Sequence, residues 1–174
     1  ERDVGQASVA VAGSVVFVGD GRSGVSVFDA TQANAPVYAS SSATDDSAGI
    51  VIPSSDPNYF YACLDNRGVG VFDVSNPLMP VLVDEHPELN ADVGGCKDIQ
   101  AVGTRLYYSG GTGLAVLDAT DPKALVVKSS LKLPAEDLIG SLAFSSAIPN
   151  RLFTTTFLVD WEGTNNRTMR LLSF

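Results

Sequence analysis

Residues 68–83 read Gly-Val-Gly-Val-Phe-Asp-Val-Ser-Asn-Pro-Leu-Met-Pro-Val-Leu-Val. The pattern returns as Gly-Val-Ser-Val-Phe-Asp-Ala-Thr-Gln-Ala-Asn-Ala-Pro-Val at residues 24–37, and as Gly-Leu-Ala-Val-Leu-Asp-Ala-Thr-Asp-Pro-Lys-Ala-Leu-Val at residues 113–126. Asp29, Asp73 and Asp118 hold the same position in the three copies and are 44 and 45 residues apart. The chain is therefore built from units of nearly constant length, and the unit determines the architecture.

Each unit divides into four short segments that are rich in Val, Phe and Tyr and are separated by Gly, Pro, Asn or Asp. This is the pattern of β-strands joined by turns, and four strands in about 40 to 50 residues are typical of one blade of a β-propeller. The first segments contain mostly small residues, which suits inner strands that converge on one axis. We predict an all-β β-propeller of four-stranded antiparallel blades that spans residues 1–174, with repeats at about 7–42, 47–84, 96–133 and 139–174.

The first hairpin of the units alternates in length. Units one and three turn tightly at Gly13-Ser14 and Gly103-Thr104, which are 90 residues apart, whereas units two and four turn through the longer loops 54–58 and 145–150. This second period predicts a two-blade unit that was duplicated.

The Asp that follows each third strand allows two interpretations. A series of carboxylates could form a catalytic or metal-binding set. Asp at the first position of Asp-Ala-Thr or Asp-Val-Ser can instead accept hydrogen bonds from backbone amides two or three residues further on. We predict that Asp29, Asp73 and Asp118 cap turns.

The copy at residues 68–81 resembles the LVIVD repeat, which is named for its Leu-Val-Ile-Val-Asp signature. The resemblance covers residues 7–133 well and residues 134–174 more loosely. It implies a β-propeller of secreted or cell-surface proteins, and hence an extracellular, cell-surface or periplasmic location. The family has no shared catalytic residues, so the resemblance implies none here.

The composition narrows the classes of partner. The formal net charge of −9 argues against nucleic acid or an anionic membrane surface as a partner. No run of 18 apolar residues occurs, so we expect no membrane span. No complete set of ligands for a metal or other cofactor is apparent, and we expect none.

His86 is the only histidine of the chain and lies near Glu85 and Glu88. One histidine beside carboxylates could be part of a metal site or act as a general base. Pro87 breaks the spacing, however, and no second histidine or nearby thiol completes a ligand set. We predict an exposed loop histidine.

Cys63 and Cys96 end the second strand of unit two and open the first strand of unit three. In antiparallel blades these two positions lie at the same rim of the ring. A disulfide is one interpretation, provided that the Cα atoms come within about 7 Å. Two separate buried thiols, packed as small hydrophobic side chains, are the interpretation that we favour.

The expanded hairpin of unit four contains Trp161, flanked by Asp160 and Glu162, and the glycosylation pattern that begins at Asn166. An aromatic side chain between carboxylates could stack on a sugar ring or anchor a protein partner. Trp161 packed on its own hairpin is the alternative. If any residues bind a ligand, we predict that Trp161, Asp160 and Glu162 do.

The first unit begins with its innermost strand, and the last unit contains three predicted strands. We therefore expect an incomplete ring that a protein partner, further copies or the remainder of the same propeller completes. We predict a non-catalytic secreted or cell-surface module for binding or scaffolding, with the rim loops as its recognition surface. The alternatives are a structural subunit of an extracellular filament or sheath, and a propeller enzyme, either a hydrolase or an oxidoreductase, with a metal in the central channel.

Overall fold

The computed structural model describes residues 8–19, 21, 24–32, 34–42, 47–134, 137–144, 151–158 and 169–173. These residues form four antiparallel sheets, one for each repeat, and each sheet is a blade. Blade 1 contains β1 (Ser8–Ala12), β2 (Val15–Gly19), β3 (Val25–Asp29) and β4 (Val37–Ser42). Blade 2 contains β5 (Ala48–Pro53), β6 (Tyr59–Leu64), β7 (Gly68–Asp73) and β8 (Val81–Glu85).

Helix α1 (Glu88–Val93) connects blade 2 to blade 3. Blade 3 contains β9 (Cys96–Val102), β10 (Arg105–Gly110), β11 (Gly113–Asp118) and β12 (Val126–Lys132). Blade 4 contains β13 (Asp137–Phe144), β14 (Leu152–Leu158) and β15 (Met169–Ser173). In every blade, strands that follow one another in the sequence are also neighbours in the sheet. The predicted all-β fold and four-stranded antiparallel blades are therefore confirmed.

The blades stack around an axis that the first strands line. Strand β1 packs against β5, β5 against β9, and β9 against β13. The small side chains of these strands permit the close approach. The described strands of blades 1 and 4 do not pack on one another, so the four blades form an arc and not a closed ring.

Three apolar cores fill the spaces between neighbouring blades. Between blades 1 and 2, the ring of Phe60 stacks on that of Phe72 and contacts the tilted ring of Phe17, with centroids 4.8 Å apart in each pair. All three side chains are almost fully buried. Blade 2 lies between two neighbours, and five of the six residues of β7 are consequently buried. The central strands of the arc therefore need apolar side chains on both faces.

The contacts between blades 1 and 2 recur between blades 3 and 4. The inner strands of blades 2 and 4 each contain a β-bulge, after Ala48 and after Ile139. Next to each bulge a backbone amide donates to a side chain of the preceding blade. Val51 donates to Ser8 Oγ and Leu142 donates to Asp98 Oδ2, both at 2.6 Å. Ser8 and Asp98 are 90 residues apart, which is the period of the alternating hairpins.

A second pair of positions has the same spacing. A Cβ at Gly19 would lie 2.4 Å from the carbonyl oxygen of Gly49, so only glycine fits there. At the matching position of blade 3, the hydroxyl of Ser109 donates to the carbonyl oxygen of Gly140 at 2.8 Å. Gly19 and Ser109 therefore face equivalent carbonyl groups in the two pairs of blades. Gly19 makes a close approach to its carbonyl, and Ser109 donates a hydrogen bond to its own.

The segment between blades 2 and 3 differs from the predicted loop because it contains α1. Leu89 and Val93 lie one helical turn apart and are both fully buried. The helix packs against β7, β10, β11 and β12, and the carbonyl oxygen of Gly94 accepts the Tyr108 hydroxyl at 2.8 Å. Two apolar residues are too few to give a helical pattern in the sequence, and tertiary packing determines this helix.

The turn-capping role of the repeated aspartates is confirmed. The Oδ1 atoms of Asp29, Asp73 and Asp118 each accept the backbone amide of the residue two positions on, at 2.8, 2.8 and 2.9 Å. In each case these bonds lower the pKa of the carboxyl below its ordinary value. The side-chain hydrogen bond from Thr120 is the largest cause at Asp118, where the pKa falls to about 2.

We predict that Thr120→Ala raises the pKa of Asp118 and that Thr120→Ser, which keeps the hydroxyl, does not. NMR titration of the side-chain carboxyl carbon measures both. Since the folded pKa lies below the ordinary 3.8, the turn stabilises the fold above that pH, and this contribution is lost as the pH falls toward about 2. An unchanged pKa in Thr120→Ala would contradict this explanation.

Candidate functional site

The arc has two rims with different loops. The hairpin rim carries the turns between first and second strands and the aspartate-capped turns between third and fourth strands. The linker rim carries the turns between second and third strands and the connections from blade to blade, including α1. This division follows from the antiparallel order of the strands within each blade.

On the hairpin rim, a cavity of about 300 Å³ opens between blades 1 and 2. We call it the rim cavity. Residues of the tight turn at Gly13 and of the longer loop 54–58 both line it. Its walls are mainly apolar, and the lining residues are Ala10, Val11, Ala12, Gly13, Phe17, Pro53, Ser54, Ser55, Pro57, Tyr59, Phe60 and Val74.

The loop that forms the higher wall is held by its own hydrogen bonds. The hydroxyl of Ser54 accepts the amide of Asp56 at 3.1 Å and donates to its carbonyl at 2.7 Å. Asp56 Oδ1 accepts the amide of Asn58 at 2.9 Å and its side-chain nitrogen at 3.0 Å. Together with the bond from the Tyr59 amide to the Asp56 carbonyl at 3.0 Å, these contacts fix the loop in one conformation.

Below this loop, Tyr61 points into the core between blades 2 and 3. Its side chain is almost fully buried. Burial raises the pKa of Tyr61 to about 12. The phenol is therefore neutral at physiological pH, and it does not contribute charge to the hairpin rim.

A larger cavity of about 370 Å³ lies between blades 3 and 4. The rings of Tyr107 and Phe144 meet there with centroids 4.5 Å apart, and Arg105 lies at its edge. Nearer the axis, burial is the largest influence on Asp98 and raises its pKa, although the Leu142 and Ile99 amides oppose the shift. Asp98 is thus part of the joint between these two blades.

On the linker rim, Cys63 and Cys96 are joined in a disulfide with a Cα–Cα distance of 5.6 Å. The interpretation as two separate thiols was therefore wrong. The amide of Cys96 donates to the carbonyl of Asp65 at 2.9 Å, which brings the first residue of β9 against the end of β6. The sequence around Cys63 and around Cys96 does not show that the two residues lie close together, because the distance between them depends on the angle between blades 2 and 3.

The prediction of an exposed His86 was also wrong, because the side chain is buried. Its Nδ1 atom lies 2.7 Å from Glu88 Oε1, and its Nε2 atom lies 3.2 Å from Asp84 Oδ2 without hydrogen-bond geometry. The backbone amide of His86 donates to the carbonyl of Val69 at 3.0 Å. This bond ties the backbone of His86 to β7, and α1 begins two residues later.

The predicted binding residues Trp161, Asp160 and Glu162 lie outside the described residues, as does Asn166. Within the part of the chain that the structure describes, no group of three or more His, Cys, Asp or Glu side chains is arranged to hold a metal ion. No helix in that part has the length and the apolar character that a membrane crossing requires. The rim cavity was not predicted, although the alternating hairpin lengths were the signal for it.

The chain superposes on several solved β-propellers. It is similar to a putative 6-phosphogluconolactonase from Bacteroides uniformis, with a TM-score of 0.69 and 12% identity over 98% of this chain and 57% of that one. For the periplasmic gluconolactonase PpgL of Pseudomonas aeruginosa the values are 0.69 and 17%, over 97% and 56%. For the β-propeller domain of Cps50 (Swd1) from Myceliophteria thermophila they are 0.61 and 14%, over 100% and 59%.

The chain spans about half the length of the solved structures that it matches. No protein-family model and no curated protein matches it. At identities of 17% and below, the similarity establishes the β-propeller fold.

We predict that replacing both Cys63 and Cys96 by Ser lowers the free energy of unfolding by about 3 to 4 kcal/mol, since the disulfide closes a loop across 33 residues. Urea unfolding with and without a reductant measures the difference. The natural chain in reductant should behave like the double variant, and the double variant should not respond to reductant. Equal stability of the natural and double-variant chains without reductant would contradict the prediction.

Proposed function

We propose that this chain is a non-catalytic binding module of a secreted or cell-surface β-propeller, and that the rim cavity receives an apolar side chain of a protein partner. The observation that carries the proposal is the combination of an apolar cavity with a wall that is already ordered by Ser54, Asp56 and Asn58. A preformed site binds without the entropy cost of ordering its loops.

The chemistry of the lining supports an aromatic or aliphatic ligand group. Phe17 and Phe60 form the floor, and Tyr59 and Pro57 belong to the wall. Among the described residues, no Lys, Arg, Asp or Glu lines the cavity, so none of them offers a charged group there to pair with a charged ligand. A volume of about 300 Å³ lies at the lower end of the range for small-ligand sites, which is about 300 to 1,000 Å³. An anchoring side chain fits this range better than a large cofactor does.

The disulfide supports the proposed location. Structural disulfides persist in oxidising compartments and are rare in the cytosol, and Cys63 and Cys96 join two blades of this chain. An extracellular, cell-surface or periplasmic location agrees with this chemistry. It also agrees with the resemblance to the LVIVD repeat, which stays a prediction.

The residues that line the rim cavity distinguish this proposal from the enzyme alternative. Propeller enzymes need several converging acid, base or metal-binding groups. The lining of the rim cavity has two hydroxyls from serine, one from tyrosine and no titratable carboxylate or imidazole. We therefore assign to the rim cavity recognition by shape and burial of apolar surface.

We predict that N-acetylphenylalanine amide shifts the backbone NMR signals of Tyr59 and Val74 in a saturable titration, whereas N-acetylaspartate amide does not. Ser55→Trp, which places a large ring in the cavity, should abolish the shifts. Thr104→Trp, at the first hairpin turn of blade 3 and outside the lining of the cavity, is the control and should leave them unchanged. Shifts that persist in Ser55→Trp, or that are equal for both probes, would refute recognition at this cavity.

A further inference from the structure

The outward face of blade 1 is apolar, and none of the described blades packs against it. Cross-strand pairing places on one face the residues Val9, Val11, Val16, Val18, Ser26, Phe28, Tyr38 and Ser41. We call this set the open face. None of its residues carries a formal charge, although the chain has a net charge of −9. Val9 is 62% exposed and Tyr38 is 56% exposed.

The matching faces of blades 2 and 3 are interfaces. Phe60, Ala62 and Phe72, which lie 44 residues after Val16, Val18 and Phe28, are at most 2% exposed because blade 1 covers them. In blade 3, Leu106 and Leu117 are fully buried in the core that they share with blade 2. The open face therefore has the composition and the position of a blade-to-blade interface, and it continues the series of established interfaces by one more step.

We propose that the open face packs against the last blade of an arc of about three further four-stranded blades, which completes a ring of about seven. The four blades of this chain match 56% to 58% of three solved β-propeller chains and superpose on them at a TM-score of 0.69. If the blades are of similar size, four blades in that share of a chain correspond to about seven in the ring, within the usual range of four to eight.

A second copy of this chain fits the open face less well. Two copies would supply eight blades. In a ring of about seven blades, each blade is rotated from the next by about one seventh of a turn, so eight such blades would exceed a full turn. A head-to-tail contact that does not close produces open polymers and not a ring. A filament or sheath subunit would form open polymers of this kind. The state of assembly of the chain therefore tests both the ring proposal and the filament alternative. The rim cavity lies between blades 1 and 2 and shares only Val11 with the open face, and the proposal does not depend on whether that cavity binds anything.

The first experiment measures the natural chain and two variants with anilinonaphthalene sulfonate and light scattering. Val9→Lys places a charge in the open face, and Val81→Lys, at a valine that is 58% exposed on blade 2, is the matched control. We expect the natural chain to bind the dye, Val9→Lys to lower the fluorescence about twofold, and Val81→Lys to leave it unchanged. Three results would overturn the proposal: a discrete dimer without dye binding that Val9→Lys dissociates, regular polymers that Val9→Lys dissolves, or a monomer that binds no dye.

The second experiment tests the number of blades. A chain in which residues 1–134 precede the natural sequence carries seven units, and a chain in which residues 1–95 precede it carries six. We expect the seven-unit chain to be a monomer that no longer binds the dye, and the six-unit chain to bind it as the natural chain does. In the seven-unit chain, Val9→Lys in the fourth unit should lower the melting temperature more than Val81→Lys does. Loss of dye binding in the six-unit chain, or equal dye binding by both chains, would overturn the proposal.

Discussion

The fold depends on the burial of apolar surface between neighbouring blades. A blade of this chain has an apolar face on each side, so a blade on its own would leave both faces in water. Blade 2 shows the satisfied condition, because Phe72 packs toward blade 1 and Val71 toward blade 3, and neither is exposed. The hydrogen bonds within each sheet determine the shape of a blade, but the cores between the blades hold the blades together.

The joints between the blades are of two kinds. Blades 1 and 2, and blades 3 and 4, are connected through a bulge whose amide donates to Ser8 or to Asp98. Blades 2 and 3 are connected through α1 and the Cys63–Cys96 disulfide. This alternation agrees with a duplicated two-blade unit, in which the joint inside the unit was copied. The joint between the units has no copy among the described residues, and it contains the covalent link.

Short-range information was sufficient to predict the blades. The spacing of Asp29, Asp73 and Asp118 gave the repeat, and their hydrogen bonds to residues two positions on were predicted because both partners lie in one turn. The errors concern the joint between blades 2 and 3. The formation of α1 and the approach of Cys63 to Cys96 depend on the angle at which two blades meet, and no segment of the sequence encodes that angle locally. The burial of His86 accompanies α1, which begins two residues later. The rim cavity depends on a difference between two hairpins of neighbouring blades, so it too becomes visible only when the blades are placed side by side.

Strand β1 connects the two surfaces for which we propose partners. Ala10 and Ala12 line the rim cavity on one side of this strand, and Val9 lies on the open face on the other side. Among the described strands, β1 comes first in the sequence, and β2 is its only partner within a sheet. A blade that covered the open face would hold β1 from both sides and would restrict the part of the cavity wall that Ala10 and Ala12 contribute. We therefore expect completion of the ring to strengthen recognition at the hairpin rim, because a wall that is already fixed loses less freedom when a ligand enters.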